Sequence, residues 1–250
     1  VRPLILRREV EKVAEQLPQR IDIPVYLNMK NMVFEAYHLL KEEIKNSLTT
    51  APTLATITKL RQFCCHPHVV GKFRPQDIMD CSDKYSYLIS ILEEIVSTGN
   101  KVLIFSSYRK MIDMIVDDIP NRLGIWVKKI DGTTEVRERQ PLIDDFSKVN
   151  GSAVLVLNPK AAGTGLNITA ANHVIHYNPE WNPAVVDQAS ARSYRLGQEK
   201  PVTIHRLIYT KTVEEVMDQR LTRKRTLAEQ IIVGTQGEDS KEDLELILGA

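Results

Sequence analysis

The sequence predicts an α/β fold in which helices cover both faces of a parallel sheet. Short runs rich in β-branched residues alternate along the chain with amphipathic segments of helical period, a pattern typical of such sheets. Runs such as AVLVLN at 153–158 show no polar alternation, which indicates strands buried on both faces. The predicted strands occupy residues 101–107, 126–131, 153–158, 172–177 and 202–209.

Apolar residues three and four positions apart predict the helices that accompany these strands. Gly99 supplies a C-terminal stop for the first of them. Pro141 lies within the third helical pattern, so we expect that helix to bend or to begin late. The predicted helices cover residues 85–97, 111–119, 136–148 and 213–233.

A smaller helical unit is expected before the sheet. Residues 29–48 and 52–63 carry apolar side chains at helical spacing, which predicts a helical pair. Residues 1–24 are mixed in character, and Pro18 and Pro24 bracket an extended piece of chain.

The composition is ordinary for a globular protein, since 43% of the 250 residues are apolar and 26% are charged. A net charge of +1 excludes a protein that is basic over its whole surface, but it allows a local basic patch for nucleic acid. No apolar run approaches the roughly 18 residues of a membrane span, and the charged first residues do not form a signal peptide. Since residue 1 is Val rather than Met, we expect these residues to be cut from a longer protein.

Three cysteines do not make a disulfide framework, so we expect a reducing, intracellular compartment. Structural zinc normally uses two pairs of ligands, each pair separated by two to four residues. Cys64 and Cys65 are adjacent, and the nearby His66, His68 and Cys81 do not complete a second pair. The sequence therefore predicts no metal site.

The most informative segment is DQASARSYRLGQ at 187–198. Gln188, Arg192 and Arg195 are spaced i, i+4 and i+7, and on a helix they would share one face. One amide and two permanent guanidinium charges on one stripe suit a polyanion such as a nucleotide triphosphate. The alternative is a solvated helix face paired with local acids.

Three further segments follow predicted strands, at the edge of a parallel sheet where ligands gather. Gly163 and Gly165 allow a phosphate or sugar to approach the backbone, although they also suit a purely structural turn. Trp181 is either a packed tryptophan or a side chain near a nucleic-acid backbone or a lobe interface. Ser106 and Ser107, at the end of the first predicted strand, are placed to touch phosphate.

Together these segments resemble the second RecA-like lobe of the Swi/Snf-type DNA-dependent ATPases, in helicase superfamily two. LRQFCCHP at 60–67 is similar to the helical protrusion of the family, and TVEEVMDQRLTRKRTL at 212–227 resembles its bracing helix. The family often has His where Tyr194 stands and AGG where the chain reads AAG, and these departures leave the subfamily open. Motif IV resembles KVLIFSSY (101–108), and the family segment of the form DG-T-x-x-x-R resembles IDGTTEVRERQPLIDDF (130–146). Motif V resembles AAGTGLNITAANHVIHY (161–177), and the joined motifs Va and VI resemble NPEWNPAVVDQASARSYRLGQ (178–198).

The resemblance implies a division of the chain into four parts. Residues 1–24 would be the exit from lobe one and a linker, and residues 25–80 the helical protrusion. Residues 81–210 would form the RecA-like lobe with motifs IV, V and VI, and residues 211–250 the bracing helix and an acidic tail.

The resemblance also implies roles for individual residues. ATP and Mg²⁺ would lie between this lobe and an N-terminal RecA-like lobe, with Arg192 and Arg195 contacting the γ-phosphate as arginine fingers and Gln188 ordering the same end of the nucleotide. The other residues expected to face ATP are Gly163, Gly165 and Asp187. The residues expected to contact one strand of double-stranded DNA are Ser106, Ser107, Thr164, Trp181 and Asn182.

The function expected from this resemblance is the C-terminal motor lobe of an ATP-dependent translocase or remodeller of protein–DNA complexes, nucleoid-associated in a prokaryote and nuclear in a eukaryote. The chain has no GxxxxGK[ST] and no DExH-like box, so we expect it not to hydrolyse ATP alone. Two alternatives stay open: a catalytically silent lobe that binds DNA or protein as a scaffold, and another nucleotide-binding α/β enzyme, such as a sugar-nucleotide transferase. The basic cluster at 220–225 either solubilises the last helix or touches DNA or the lobes.

Overall fold

The computed structural model describes residues 17–47, 54–71, 78–161 and 165–230. Six strands form one sheet in the order β1-β6-β5-β2-β4-β3, and every neighbouring pair is parallel. The strands are β1 (Arg20–Leu27), β2 (Lys101–Phe105), β3 (Trp126–Ile130), β4 (Ala153–Leu157), β5 (His173–His176) and β6 (Val202–Tyr209).

Helices accompany the sheet as the sequence predicts, and the α/β fold class is confirmed. The helix with an internal proline runs from Val136 to Lys148, so the expectation of a late start is wrong. A short 3-10 helix lies at Pro67–Val70. The α-helices are α1 (Asn31–Ser47), α2 (Leu54–Cys65), α3 (Asp83–Ser97), α4 (Arg109–Leu123), α5 (Val136–Lys148), α6 (Pro183–Ser190) and α7 (Val213–Gln230).

Two apolar layers sandwich the central strands. On β2, Val102 and Ile104 pack in the cluster that contains α3 and α4, whereas Leu103 and Phe105 pack in the cluster that contains α5. Successive side chains of a strand point to opposite faces, so a strand covered on both sides must be apolar at every position. The unbroken apolar runs in the sequence have this origin.

Strand β1 confirms the extended piece predicted between Pro18 and Pro24, but residues 20–24 were assigned to a linker rather than to the sheet. They belong instead to an eight-residue strand paired with β6 along its whole length. Pro24 is tolerated there because β1 is an edge strand among the described residues, and one of its sides pairs with no other described strand. Most positions of this strand are exposed, which made it harder to recognise as part of the sheet than the central strands.

A third apolar cluster joins the helical pair α1 and α2 to α7. Tyr37, Phe63 and Met217 are all buried in it. The backbone N–H of Val213 donates to the Tyr37 hydroxyl at 2.9 Å, which fixes the start of α7 against α1. At the corner where β1 and β6 end, the N–H of Thr210 donates to the Leu27 carbonyl at 2.9 Å.

A buried ion pair also fixes the start of α7. Lys84 Nζ contacts the Glu214 carboxylate, and the Tyr209 ring centroid lies 4.7 Å from the same ammonium. Burial raises the pKa of Glu214, and the charge of Lys84 opposes that shift. The backbone N–H of Tyr209 donates to Glu214 at 2.9 Å. The pair therefore connects α3, β6 and α7.

Within the described ranges, no helix is both long and apolar enough to cross a membrane. The three cysteines are free thiols in buried positions. Burial raises the pKa of Cys65 to about 12, so this sulfur stays protonated at neutral pH and is a poor metal ligand.

Candidate nucleotide and DNA interface

Three loops meet at the carboxyl edge of the sheet because β5, β2 and β4 are neighbours. The Asn178 Oδ1 atom, after β5, accepts hydrogen bonds from Ser106 Oγ at 2.9 Å and from the Ser107 N–H at 3.2 Å, after β2. Asn158, after β4, donates from Nδ2 to the Ser107 carbonyl at 3.3 Å. These bonds hold the three loops together as one surface.

The two serines of this surface differ in exposure. Ser106 is 0% exposed and its hydroxyl serves Asn178, so the expectation that it touches DNA is corrected to an internal, loop-fixing role. Ser107 is half-buried and donates its hydroxyl hydrogen to the carboxylate of Glu180. Adjacent residues leaving a strand point in different directions, and the sequence alone does not say which one faces inward.

The arginine-bearing segment is not one continuous helix, and the predicted helical stripe is wrong. Helix α6 ends at Ser190 and Ala191 caps it, so Arg192 and Arg195 lie in the turns that follow. The backbone carbonyl of Arg192 accepts from the Ile168 N–H at 2.9 Å. This long-range bond replaces the helical partner that the spacing alone suggested.

The two guanidiniums nevertheless lie close together beside the turn that begins at 161. Arg192 is 8% exposed, and its Nη1 donates to the Leu166 carbonyl at 3.3 Å. Burial lowers the pKa of Arg192, and the neighbouring charge of Arg195 lowers it further. Arg195 is half-buried and makes no ion pair with any residue in the described ranges. The arrangement leaves one anchored and one available guanidinium at this rim.

Gln198, which the sequence analysis did not assign to the site, holds the arginine turn in place. Its Nε2 donates to the Ala171 carbonyl at 2.7 Å and to the Thr169 carbonyl at 3.0 Å. Ser193 adds a second bond from its hydroxyl to Ala171. A buried amide next to two arginines could have been found from the sequence by asking what supports them.

The remaining residues expected near ATP have different environments. Asp187 and Gln188 are exposed on α6. Gly165 has φ of 79°, a left-handed conformation that favours glycine, so its identity has a backbone reason. Gly163 and Thr164 lie outside the described residues.

Trp181 lies between the helical pair and the last helix. Its ring centroid is 5.8 Å from the Arg61 guanidinium carbon on α2 and 5.5 Å from that of Arg220 on α7. Such contacts hold cations over an aromatic face. Asn182 is exposed and caps α6, since its Oδ1 accepts from the Ala184 N–H at 3.0 Å. These contacts give both residues structural roles at the interface.

Arg139 supports the turn that begins at 161. It is 9% exposed, and its Nη1 donates to the Ala161 carbonyl at 3.2 Å. Its Nε and Nη2 both donate to the Thr134 carbonyl at 3.2 Å. Arg139 lies two positions after Arg137, where the DG-T-x-x-x-R pattern ends, so that pattern did not predict its contact with the turn.

The Helicase conserved C-terminal domain family matches residues 83–197, which contain the three joined loops and both arginines. A solved structure, the Sulfolobus solfataricus SWI2/SNF2 ATPase core in complex with dsDNA, superposes with a TM-score of 0.74 at 33% identity, covering 98% of this chain and 54% of that one. The chain belongs to the Swi/Snf family and corresponds to the C-terminal lobe of the family's ATPase core.

Curated relatives of this Swi/Snf lobe are much longer than the chain. YwqA of Bacillus subtilis (strain 168), described as a candidate ATP-dependent helicase/translocase, is 35% identical over 93% of this chain and 26% of its own length. The SWI/SNF-related matrix-associated actin-dependent regulator of chromatin subfamily A member 1 of Mus musculus is 34% identical over 93% of this chain and 23% of its own length. The chain thus spans about a quarter of these relatives.

Proposed function

We propose that this chain is the C-terminal motor lobe of an ATP-dependent double-stranded DNA translocase, acting with an N-terminal RecA-like lobe. The observation that carries the proposal is the bond from Arg192 Nη1 to the Leu166 carbonyl at 3.3 Å, with Arg195 beside it. This bond supports a guanidinium pair held at the rim of the 161–167 turn. The names of the relatives favour ATP as the nucleotide.

In this proposal, Arg192 and Arg195 stabilise negative charge that develops on the γ-phosphoryl group. Guanidiniums placed before the reaction cost little reorganisation, and arginine fingers are worth about 10³–10⁵ in rate. Their mutual repulsion would be relieved when a polyanion enters between the lobes. Asp187, Gln188, Gly163 and Gly165 stay candidates for the nucleotide side of the same rim.

The chain's own residues fit the phosphates of ATP better than they fit Mg²⁺. The described residues contain no group of three or more His, Cys, Asp or Glu side chains placed to hold a metal ion. We therefore assign Mg²⁺ to the N-terminal lobe, where it would arrive with ATP. The chemistry it supplies when bound is neutralisation of phosphate charge.

We assign DNA contact to the surface formed by the loops after β2, β4 and β5. Ser107 and Trp181 are its candidate contacts, with Thr164 and Asn182 beside them. Such contacts with phosphates and sugars would be independent of sequence and sensitive to salt. Protein–DNA complexes are the expected targets of the whole motor, in the nucleoid or the nucleus.

The proposal is tested by replacing Arg195 with Ala in a two-lobed protein that contains this chain. DNA-stimulated ATP hydrolysis should fall by about 10³ or more. The free energy of unfolding should change by less than ~0.5 kcal/mol, because Arg195 makes no ion pair among the described residues.

The matched control is Arg137→Ala, an exposed arginine whose ion-pair partner is Glu135. It should leave stimulated hydrolysis unchanged. Stimulated hydrolysis near wild type in the Arg195 variant would contradict the finger assignment.

A further inference from the structure

Glu180 is a carboxylate surrounded by positive charge and a hydroxyl donor. Its side chain is 14% exposed and accepts the hydrogen bond of Ser107 Oγ. Burial raises its pKa, while the charges of Arg61 and Lys160 lower it. Without these cations, a carboxylate buried to this degree would favour its neutral form. The surroundings of Glu180 therefore make a site that selects an anion.

Glu180 does not saturate this site. Arg61 Nη2 lies 3.8 Å from the Glu180 Oε2 atom, at the outer limit of an ion pair, and instead donates to the Pro179 carbonyl at 3.0 Å. The rings of Tyr108 and Trp181, at 5.7 and 5.8 Å, hold the guanidinium in position. An anion with more acceptor oxygens than a carboxylate would use donors that Glu180 leaves weakly engaged.

We propose that Arg61, Lys160 and Ser107 form a binding site for one phosphate of the DNA backbone, and that the Glu180 carboxylate occupies it until a duplex displaces it. This inference rests on the proposed function, which assigns DNA to the same loops. Asn178 and Asn182 fix the loop on either side of Glu180. The carboxylate can therefore leave by side-chain rotation while the loop keeps its anchors.

Displacement has a physical consequence for affinity. While Glu180 holds the site, a duplex must break the contact with Ser107 and the attraction to Arg61 before its phosphate can bind. The lobe would thus bind DNA more weakly than its donors allow. In the absence of DNA, the same carboxylate offsets one of the two positive charges of Arg61 and Lys160.

The test measures binding of a short blunt DNA duplex to the 250-residue chain by fluorescence anisotropy, at several salt concentrations. The key variant is Glu180→Asp, which keeps the charge but shortens the side chain so that it cannot span to Ser107. We expect about three- to tenfold tighter binding, because the phosphate no longer has to displace a carboxylate from Ser107. The slope of log K against log salt should stay unchanged, because the wild type makes the same phosphate contact once the duplex has displaced Glu180.

Glu180→Gln serves as the second variant, and Glu199→Gln, an exposed acid elsewhere, is its control for net charge. Glu180→Gln should also bind more tightly, and adding Ser107→Ala should remove part of the gain. Circular dichroism melting verifies that each variant folds, and comparison is restricted to those that do.

Three outcomes overturn the inference. Unchanged affinity in both Glu180 variants, with wild-type binding intact, refutes the occupied phosphate site but leaves the proposed function standing. Gains of equal size in Glu180→Gln and Glu199→Gln, with none in Glu180→Asp, reduce the effect to net charge. An absence of duplex binding by every form at low salt removes the DNA surface itself, and with it both proposals.

Discussion

Lys84 and Glu214 form an ion pair whose side chains are 0% and 2% exposed. They are 130 positions apart in the chain, yet they bring the first turn of α3 against the first turn of α7. Charges this deeply buried are tolerated only when each has its partner, since removing one leaves the other buried with neither a partner charge nor water to solvate it. The pair therefore makes the attachment of the last helix conditional on two residues.

Replacing Lys84 with Met should lower the free energy of unfolding by about 3–5 kcal/mol, because Glu214 would remain buried without its cation. Urea denaturation followed by circular dichroism measures the change. The double variant Lys84→Met, Glu214→Leu should recover much of the loss, since both charges are then removed. Equal destabilisation in the single and double variants would show that packing, and not charge, dominates at this position.

His173 and His205 predict a loss of stability in mild acid. Their rings stack with centroids 6.2 Å apart, and burial lowers the pKa of both, that of His205 to about 4. A pKa that is lower in the folded state than in the unfolded state means that stability is full above about pH 6.5 and declines as pH falls toward 4. Each histidine should contribute a slope of at most about 1.4 kcal/mol per pH unit in that window.

Urea titrations at several pH values between about 4.5 and 7.5 measure this slope. The variants His205→Asn and His173→Asn should each flatten this slope. The charge of Glu94 raises the pKa of His173, and the charge of Lys200 lowers it. A slope that is the same in wild type and in both variants would assign the acid sensitivity to other groups.

The contact of Arg220 with Trp181 predicts that α7 shields the loop after β5, which carries Trp181, from solvent. Since the chain has two tryptophans, a Trp126→Phe background leaves Trp181 as the single fluorophore. In that background, Arg220→Ala should increase acrylamide quenching of Trp181 and lower stability by about 0.5–2 kcal/mol. Arg223→Ala, exposed on the same helix, is the control and should change neither quantity.

Gly165 predicts a backbone penalty at the rim next to Arg192. With φ of 79°, it adopts a conformation that costs an L-residue about 1–2 kcal/mol, so Gly165→Ala should destabilise the protein by that amount. Gly132→Ala is the matched control, because an added Cβ meets no atom within 4 Å at either glycine, and Gly132 has no positive φ. Thermal or urea unfolding measures both, and equal effects would contradict a conformational origin.

The sequence predicted the central sheet well because each strand there is apolar on both faces. Each of the five predicted strands contains one observed strand, and Gly99, with φ of 68°, ends α3 as expected. The piece between Pro18 and Pro24 was predicted to be extended, but its place in the sheet as edge strand β1 was missed because its exposed residues break the apolar pattern. The local pattern of apolar residues reflects burial, and few residues of β1 are buried.

The site was harder to predict because its geometry depends on contacts between distant segments. Arg192 contacts the Leu166 carbonyl, but the predicted helix extended too far, since the bond between the Ile168 N–H and the Arg192 carbonyl cannot be read from a local pattern. Likewise, nothing adjacent in sequence connects Arg61 with Glu180. The expected contacts of Gly163 and Thr164 fall outside the described residues and stay predictions.

The bond between Thr210 and the Leu27 carbonyl joins the exits of two neighbouring strands, one leading to α1 and the other to α7. The chain segments that lead to both helices consequently leave the sheet at one shared corner. A rotation at this corner would move the helical pair and the final helix together. A small tilt of the sheet would then produce a larger displacement at the far ends of α1 and α7.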